Sequence, residues 1–270
     1  MSSFVSKSSS WLNVDANAGE AAIYLDTVHA VLEIIKRRSF TALRLQAGGA
    51  VLDVGCGIGR DAEAILSEVG VGGRVVGLDV SKDLIAQATE RSRQSQLRPE
   101  FVVGQAETLD FADNTFDASR TDRVLQHLDQ PERAIAEMVR VTKPGGRVVA
   151  LEPDWHAVSI TSGNIAVAQE ISRQVAFNQI KHGDIGRRVP GILTDAGCRD
   201  LEVVVEVAVM RDLRTADYAL HFRTGLDAVI AAGVVTPDQG KAWWESLQEL
   251  DRRRSFFASV NEVISSGTVS

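Results

Sequence analysis

A glycine-rich turn at residues 51–61 constrains the fold of this chain more than any other stretch. Residues 51–54 are apolar apart from one aspartate and predict the end of a buried strand, and glycines follow at positions 55, 57 and 59. The apolar residues that come next recur at helical spacing. Because glycine has no Cβ, the backbone can turn sharply there and approach a ligand closely. A strand, a glycine turn and a helix N-terminus in this order are typical of a nucleotide-binding corner.

The register of the glycines narrows the choice of nucleotide. A dinucleotide fingerprint, Gly-x-Gly-x-x-Gly, would need its third glycine at position 60, where this chain has Arg60. The pattern present is Asp53-x-Gly55-x-Gly57-x-Gly59, which favours close approach to a smaller ligand. We expect Asp53 to accept hydrogen bonds from backbone amides of the loop and to hold it open. A tight strand-to-helix turn with no ligand is the alternative interpretation.

An acidic residue stands at the end of the next predicted strand. Asp79 follows Gly59 by twenty positions. A carboxylate in this place can accept two hydrogen bonds from the vicinal hydroxyls of a ribose. The alternative is that Asp79 only caps the N-terminus of the following helix.

The order of the predicted elements defines the fold class. Strand and helix patterns alternate five times up to residue 151, which predicts an α/β fold with a parallel, doubly wound sheet. Two further strands are predicted at residues 201–210 and 256–263, and the last one can return antiparallel. The sheet is therefore expected to be mostly parallel and seven-stranded. Helices are predicted before it, at residues 20–38 and 39–45, and between its last two strands, at residues 215–252.

Composition excludes several classes of partner. The formal net charge is −7 and no dense basic run is present, which argues against nucleic acid or an anionic membrane surface. No apolar run approaches the ~20 residues of a membrane span, and the N-terminus lacks the apolar core of a signal peptide. The two cysteines, Cys56 and Cys198, have neither disulfide nor metal-ligand spacing. Together these features predict a cytoplasmic protein.

Six short motifs occur in a fixed order along the first half of the chain. They are VLDVGCGIG at 51–59, VGLD at 76–79, GQAE at 104–107, FD at 116–117, RVLQH at 123–127 and KPGG at 143–146. As a set they resemble the class I S-adenosylmethionine-dependent methyltransferases, and within that class the ubiquinone/menaquinone-type small-molecule enzymes, including those of natural-product biosynthesis. The resemblance covers residues 49–153, and outside that range only the general architecture carries over.

The resemblance implies a Rossmann-like core and a set of cofactor contacts. It divides the chain into an N-terminal tail and helical cap at 1–45, the core at 46–212, a helical insertion over the substrate site at 213–254, and a final strand at 255–270. The family's contacts with the methionine part of the cofactor, with its ribose and with its adenine fall on these positions of this chain: Gly55, Cys56, Gly57, Gly59, Asp79, Val80, Gln105, Ala106, Glu107 and Thr121.

Two of these positions need comment. Gln105 stands where the family often has aspartate, and its amide oxygen can still accept a hydrogen bond from the adenine amino group. Thr121 is expected beneath the methionine amino group. In addition, Tyr24 lies on the N-terminal helix, where such enzymes often close over the cofactor; a core or surface tyrosine is the alternative.

Methyl transfer needs little chemical activation by the protein, since a sulfonium methyl group is already electrophilic. Most of the work is aligning the acceptor in line with it and excluding water, and a base is needed only if the acceptor must lose a proton. Polar residues at the ends of the predicted strands are candidates for a base: Asp122, His127, Glu152, Asp154 and His156. His127 and His156 are retained with Tyr24 as catalytic candidates, although each histidine has a structural alternative.

Aromatic residues suggest the shape of the acceptor. Trp155, Tyr218 and Phe222 are predicted to line a pocket for a flat ring, the alternative being that they pack the insertion onto the core. His221, in the same insertion, is expected to be solvated. No cluster has metal-ligand spacing, so no metal cofactor is expected.

The sequence therefore predicts a methyltransferase that moves a methyl group from S-adenosylmethionine to carbon or nitrogen of an aromatic or heteroaromatic metabolite, releasing S-adenosylhomocysteine. The expected partner is a small-molecule substrate, with a homodimer as a further possibility. Two alternatives stay open: a nicotinamide-dependent oxidoreductase, which the glycine register disfavours, and a catalytically silent nucleotide-binding module.

Overall fold

A computed structural model of the chain describes residues 18–94 and 96–270, with side chains from Val28 onward. Its centre is a seven-stranded sheet in the order β3-β2-β1-β4-β5-β7-β6. The strands are β1 (Ala50–Val54), β2 (Arg74–Asp79), β3 (Glu100–Val103), β4 (Phe116–Asp122), β5 (Thr142–Ile160), β6 (Cys198–Met210) and β7 (Ala258–Val269). The first five run parallel, and β7 is antiparallel to both of its neighbours. The predicted fold class is confirmed.

Helices cover both faces of the sheet. In chain order they are α1 (Ala18–Ala42), α2 (Arg60–Val69), α3 (Lys82–Arg93), α4 (Pro131–Val141), α5 (Ile165–Gln174), α6 (Ile185–Asp195), α7 (Leu213–Leu220), α8 (Phe222–Ala231) and α9 (Pro237–Arg252). One apolar core lies between the sheet and helices α1, α2, α5, α7, α8 and α9. A second core lies on the other face, under α4 and α6. Alternate residues of β1, β2 and β5 enter the two cores, as the two-residue period of a strand requires.

The first helix differs from the prediction in two ways. It continues without a break to Ala42, so the separate short helix predicted at 39–45 does not form. In the sequence, Lys36 is one of the cations that suit the C-terminal end of this helix, but in the structure it is buried and forms ion pairs with Asp61 and Asp122. The prediction failed because a lysine near a helix terminus looks like a partner of the helix dipole, whereas here tertiary partners hold it.

The last strand is longer than predicted. β7 extends to Val269 because it pairs with β5 on one side and with β6 on the other along most of its length. Residues 265–267 are serine, serine and glycine, none of which is among the residue types enriched in strands. Pairing on both sides therefore overrides local propensity. Among the described helices, none has both the length and the apolar character that crossing a membrane requires.

Candidate cofactor and acceptor site

A cavity of about 590 Å³ opens at the carboxyl ends of β1, β2 and β4. This volume falls in the range of small-molecule sites, and the carboxyl edge of a parallel sheet is where ligands of open α/β folds bind. Eight of the predicted site residues lie in its wall: Gly55, Gly57, Asp79, Val80, Gln105, Ala106, Glu107 and His127. Residues as far apart as 55 and 127 are thus brought to one cleft.

The glycine loop is held by close packing as well as by the turn itself. Gly55 has a φ of 76°, and a Cβ on it would lie 2.1 Å from Cγ2 of Val124, another residue of the cavity wall. Gly59 has a φ of 77°, and a Cβ there would lie 2.5 Å from Cζ of Phe101. Gly59 itself is not part of the cavity wall. At these two positions, glycine is needed because the loop packs closely against protein side chains. The sequence had suggested instead that glycine was needed for close contact with a ligand.

Asp79 fixes the loop from the neighbouring strand. Its Oδ2 accepts a hydrogen bond of 2.9 Å from the backbone amide of Gly57, and its Oδ1 accepts one of 2.9 Å from the amide of Ser81. The first bond holds the glycine loop against β2, and the second holds the start of α3. The carboxylate thus has a structural role at the same time as it lines the cavity.

Asp53 does not hold the loop open, so that prediction is wrong. Its Oδ1 accepts a hydrogen bond of 3.3 Å from Nη1 of Arg120, and within the described residues no loop amide donates to its side chain. Burial raises the pKa of Asp53 to about 7, Arg120 opposes this, and the nearby carboxylate of Asp61 adds to it. The side chain points into the core under α1 and α2, because it lies on the strand face opposite to its neighbours Leu52 and Val54.

A buried charge cluster lies directly behind the cavity. Arg120 is fully buried on β4, and its guanidinium reaches Asp61 at 3.1 Å and Asp122 at 2.8 Å. Lys36 lies 2.6 Å from Asp61 and 2.5 Å from Asp122. Burial alone would raise the pKa of Asp122, but Lys36 and Arg120 outweigh it and hold that pKa well below its usual range. Since Asp122 lines the cavity, the cluster ties helix α1 to the cavity wall.

The turn after β4 is held by a second carboxyl. Oε1 of Glu152, on β5, accepts hydrogen bonds from the backbone amides of Val124 at 2.9 Å and of Leu125 at 2.8 Å. The short 3₁₀ helix Leu125–His127 follows. Burial, with Arg123 and His221 nearby, lowers the pKa of His127 to about 3, so this histidine is neutral at pH 7 and a weak base.

An aromatic pair stands beside this turn. Trp155 is buried, and its Nε1 donates a 2.6 Å hydrogen bond to Oε1 of Gln126, which lines the cavity. The indole stacks on the ring of His221, with 5.9 Å between ring centroids and 25° between planes. The prediction that His221 is solvated is wrong: burial, with Arg123 nearby, lowers its pKa to about 4. Its backbone is left-handed, with φ 58°, at the junction of α7 and α8.

Other predicted residues lie away from the cavity wall. His156 is exposed and contacts the edge of Phe177, with 4.3 Å between ring centroids. Phe222 is buried against Trp243, whereas Tyr218 is partly exposed. Cys56 and Thr121 are buried just outside the wall, and Oγ1 of Thr121 has no hydrogen-bond partner in the described part of the chain. The side chain of Tyr24 lies outside the described residues. The functional roles of these six predicted site residues, His156, Phe222, Tyr218, Cys56, Thr121 and Tyr24, stay predictions.

Four buried charged residues near the cavity were not predicted from the sequence to belong to the site. Three of them, Lys36, Asp61 and Arg120, belong to the charge cluster, and the fourth is Glu262 on β7, which is considered below. A signal for Glu262 exists, since it alternates with Val260 and Ile264 and so falls on the apolar face of a strand. Among the described side chains, no group of three or more histidine, cysteine, aspartate or glutamate residues has an arrangement that could hold a metal ion.

The geometry described so far defines a class: a Rossmann-like α/β domain with a nucleotide-sized cleft at the carboxyl edge of its sheet. Residues 52–150 match the family model described as "Methyltransferase domain". We identify this part of the chain as a methyltransferase domain of the class I S-adenosylmethionine-dependent type, which confirms the resemblance found in the motifs.

Curated relatives extend beyond the part that this chain matches. An uncharacterized 37.1 kDa protein in transposon TN4556 of Streptomyces fradiae is 35% identical over 219 residues, which are 81% of this chain and 62% of that protein. A demethylmenaquinone methyltransferase of Oceanobacillus iheyensis is 32% identical over 133 residues, 47% of this chain and 56% of the relative. The chain thus spans roughly three fifths of the length of these relatives.

Solved structures share the fold at low sequence identity. A putative methyltransferase from Bacillus halodurans has a TM-score of 0.59 at 15% identity, covering 87% of this chain and 99% of that one. Geranyl diphosphate C-methyltransferase from Streptomyces coelicolor, in complex with Mg²⁺, geranyl diphosphate and S-adenosyl-L-homocysteine, has a TM-score of 0.56 at 18% identity, covering 90% and 80%. The [4+2]-cyclase SpnF has a TM-score of 0.52 at 23% identity, covering 87% and 80%. These similarities bear on the fold alone.

Proposed function

We propose that this protein transfers a methyl group from S-adenosylmethionine to a small organic acceptor. The proposal rests mainly on one observation: eight of the predicted site residues line the same cavity, next to the glycine loop. The methyltransferase domain of residues 52–150 and the S-adenosyl-L-homocysteine bound in a structural neighbour support the choice of cofactor. The cofactor, when bound, supplies an electrophilic methyl group; every other requirement falls on the residues of the chain.

The residues of the cavity fit a nucleoside with a short polar tail. Asp79 would hold the ribose, while Val80, Ala106 and the polar side chains of Gln105 and Glu107 would surround the adenine. Gly55 and Gly57 leave the other end of the cleft open beside the carboxyl end of β4, where the methionine part would lie. Apolar side chains, among them Leu78 and Leu84, form part of the cavity wall and would help to exclude water from the reacting groups.

The acceptor is proposed to be an aromatic or heteroaromatic metabolite, methylated on carbon or nitrogen. The support for a flat ring is the stacked pair of Trp155 and His221, which lies outside the cavity wall but is joined to it through Gln126. Aromatic side chains bind ring systems by stacking. Helices α7–α9 bring His221 to this place, which supports the assignment of residues 213–254 as an insertion over the substrate site. Location in the cytoplasm and a homodimer remain predictions from the sequence.

Calorimetry with S-adenosylhomocysteine tests the proposal. We expect wild-type protein to bind it, and Asp79→Asn to weaken the affinity by about tenfold or more, since a hydrogen bond to a charged group contributes ~1.5–3 kcal/mol. Asp83→Asn, in the exposed first turn of α3, is the matched control and should bind as the wild type does. No binding by the wild type at millimolar ligand would overturn the proposal, and binding of a nicotinamide cofactor in its place would favour the oxidoreductase alternative.

A further inference from the structure

Two fully buried carboxyls stand on adjacent strands just beyond the cavity. Glu152 lies on β5 and Glu262 on β7, at neighbouring positions of the antiparallel ladder: Glu152 faces Val263 and Glu262 faces Pro153. Residues opposite each other in a ladder share a face, so the two carboxyls project from opposite faces of the sheet. Burial raises the pKa of each to about 8. The pair is therefore matched in burial and in acidity.

Only one of the two has a structural explanation. Glu152 accepts the two backbone hydrogen bonds that shape the turn after β4. Glu262 is 3% exposed, yet in the described part of the chain no group forms a hydrogen bond with its carboxyl, and its Oε2 is fully enclosed. A buried polar group without a partner is costly, and native structures contain few of them. Apolar Val260 and Ile264 flank it on the same face, so an apolar residue would also suit the packing.

Glu262 lies outside the cavity wall, near the part of the wall that Asp122 and Arg123 form. Its electrostatic neighbours are Arg123, Asp122 and Lys36, and the first two line the cavity. On the other side of β7, Glu206 of β6 stands opposite Glu262 and is ion-paired with Arg38. Each nearby cation has another carboxylate partner: Arg123 pairs with Asp122, Lys36 with Asp61 and Asp122, and Arg38 with Glu206.

We propose that Glu262 recognises a hydrogen-bond donor, an N–H or O–H group, on the methyl acceptor. This inference rests on the proposed function, because it takes the cavity to be the place where an acceptor meets the cofactor. The carboxyl end of β4, Asp122 and Arg123, would separate Glu262 from the cofactor cleft, so an acceptor that reaches Glu262 extends past them, under helix α1. An acceptor without such a donor would leave the carboxyl without a partner and would bind less well.

Three ring compounds that differ in one group test the proposal. Aniline, benzyl alcohol and toluene, all neutral at pH 7, are titrated into protein saturated with S-adenosylhomocysteine, with binding followed by ligand-observed NMR. We expect the wild type to prefer the amine or the alcohol over toluene by about tenfold, the value of one hydrogen bond to a buried partner. Preference for the amine identifies an N–H donor, and preference for the alcohol an O–H donor. Equal binding of all three by the wild type overturns the proposal.

Variants separate recognition from a structural role. Glu262→Leu should abolish the preference, whereas Glu262→Gln, which keeps an acceptor oxygen, should retain the preference for the alcohol. The matched control, Glu152→Leu, should lower the unfolding temperature because two backbone amides lose their acceptor, whereas Glu262→Leu should leave it unchanged or raise it. If Glu262→Leu retains the preference, or destabilises the protein as Glu152→Leu does, Glu262 is structural and the proposal fails. If the wild type does not bind S-adenosylhomocysteine at all, the proposed function itself is refuted.

Discussion

The two ends of the cavity are built on different principles. At the glycine end, one contiguous motif forms a turn whose position is fixed by backbone amides and by Asp79. At the opposite end, side chains from α1, α2 and β4 meet, and charge pairs rather than main-chain hydrogen bonds hold them. The first end needs only that the chain can turn, whereas the second needs partners from distant parts of the sequence. The first end has the features common to nucleotide-binding folds, and we propose that the second end is the part that distinguishes the acceptor.

The largest expected effect comes from removing the central cation of the charged end. Arg120→Met leaves Asp53, Asp61 and Asp122 close together in the core without the guanidinium that they share. Breaking a buried pair in this way costs ~3–5 kcal/mol of unfolding free energy. Arg74→Met, which removes an exposed pair with Glu100, is the control and should cost less than about 1 kcal/mol. Urea denaturation measures both; similar losses would show that the cluster does not support the fold.

A smaller effect is expected at the glycine end. Gly55→Ala forces a left-handed backbone on a residue with a Cβ, for ~1–2 kcal/mol, and adds a clash with Val124 worth ~1–3 kcal/mol. Gly72→Ala has the same backbone strain, with φ +86°, but its Cβ would meet no atom within 4 Å. Thermal denaturation of the two variants isolates the clash. Equal destabilisation of the two would mean that the loop can move away from Val124.

The pH dependence of stability should also differ between variants of the charged end. A carboxyl with a pKa of about 8 in the folded protein and 4.5 in the unfolded chain binds more protons when folded. The contribution of this carboxyl to the free energy of unfolding is therefore fully present below pH ~4.5 and is lost as the pH rises towards 8. Glu262→Gln has no titrating group at this position, so its free energy of unfolding should not fall in this way. Relative to wild type, the variant should become more stable between pH 5 and 8, by an amount on the order of 1–3 kcal/mol. Urea denaturation at several pH values measures the gain, and a constant difference would contradict the buried, protonated state.

Most of the fold and the glycine end could be predicted from the sequence, because their signals are local. Alternating strand and helix patterns predicted the sheet, and the six motifs predicted the methyltransferase domain. The charged end could not be predicted, since each of its members has an ordinary local explanation. Lys36 looks like a helix-end cation, Asp53 like a loop acceptor, and Glu262 like one polar residue in a strand. Only the approach of α1, β4 and β7 in space makes them a cluster, and a single sequence does not contain that information.

The ion pairs of Lys36 have a consequence for how this chain can be divided or recombined. The amine that balances Asp61 and Asp122 is carried by the first helix, while both acids belong to the nucleotide-binding core. A fragment that starts at residue 46 would keep the acids and lose the lysine, so it would carry surplus negative charge in its interior. Chimaeras that exchange the leading helix to alter which molecules are methylated will therefore need a lysine or an equivalent cation at the same helical turn.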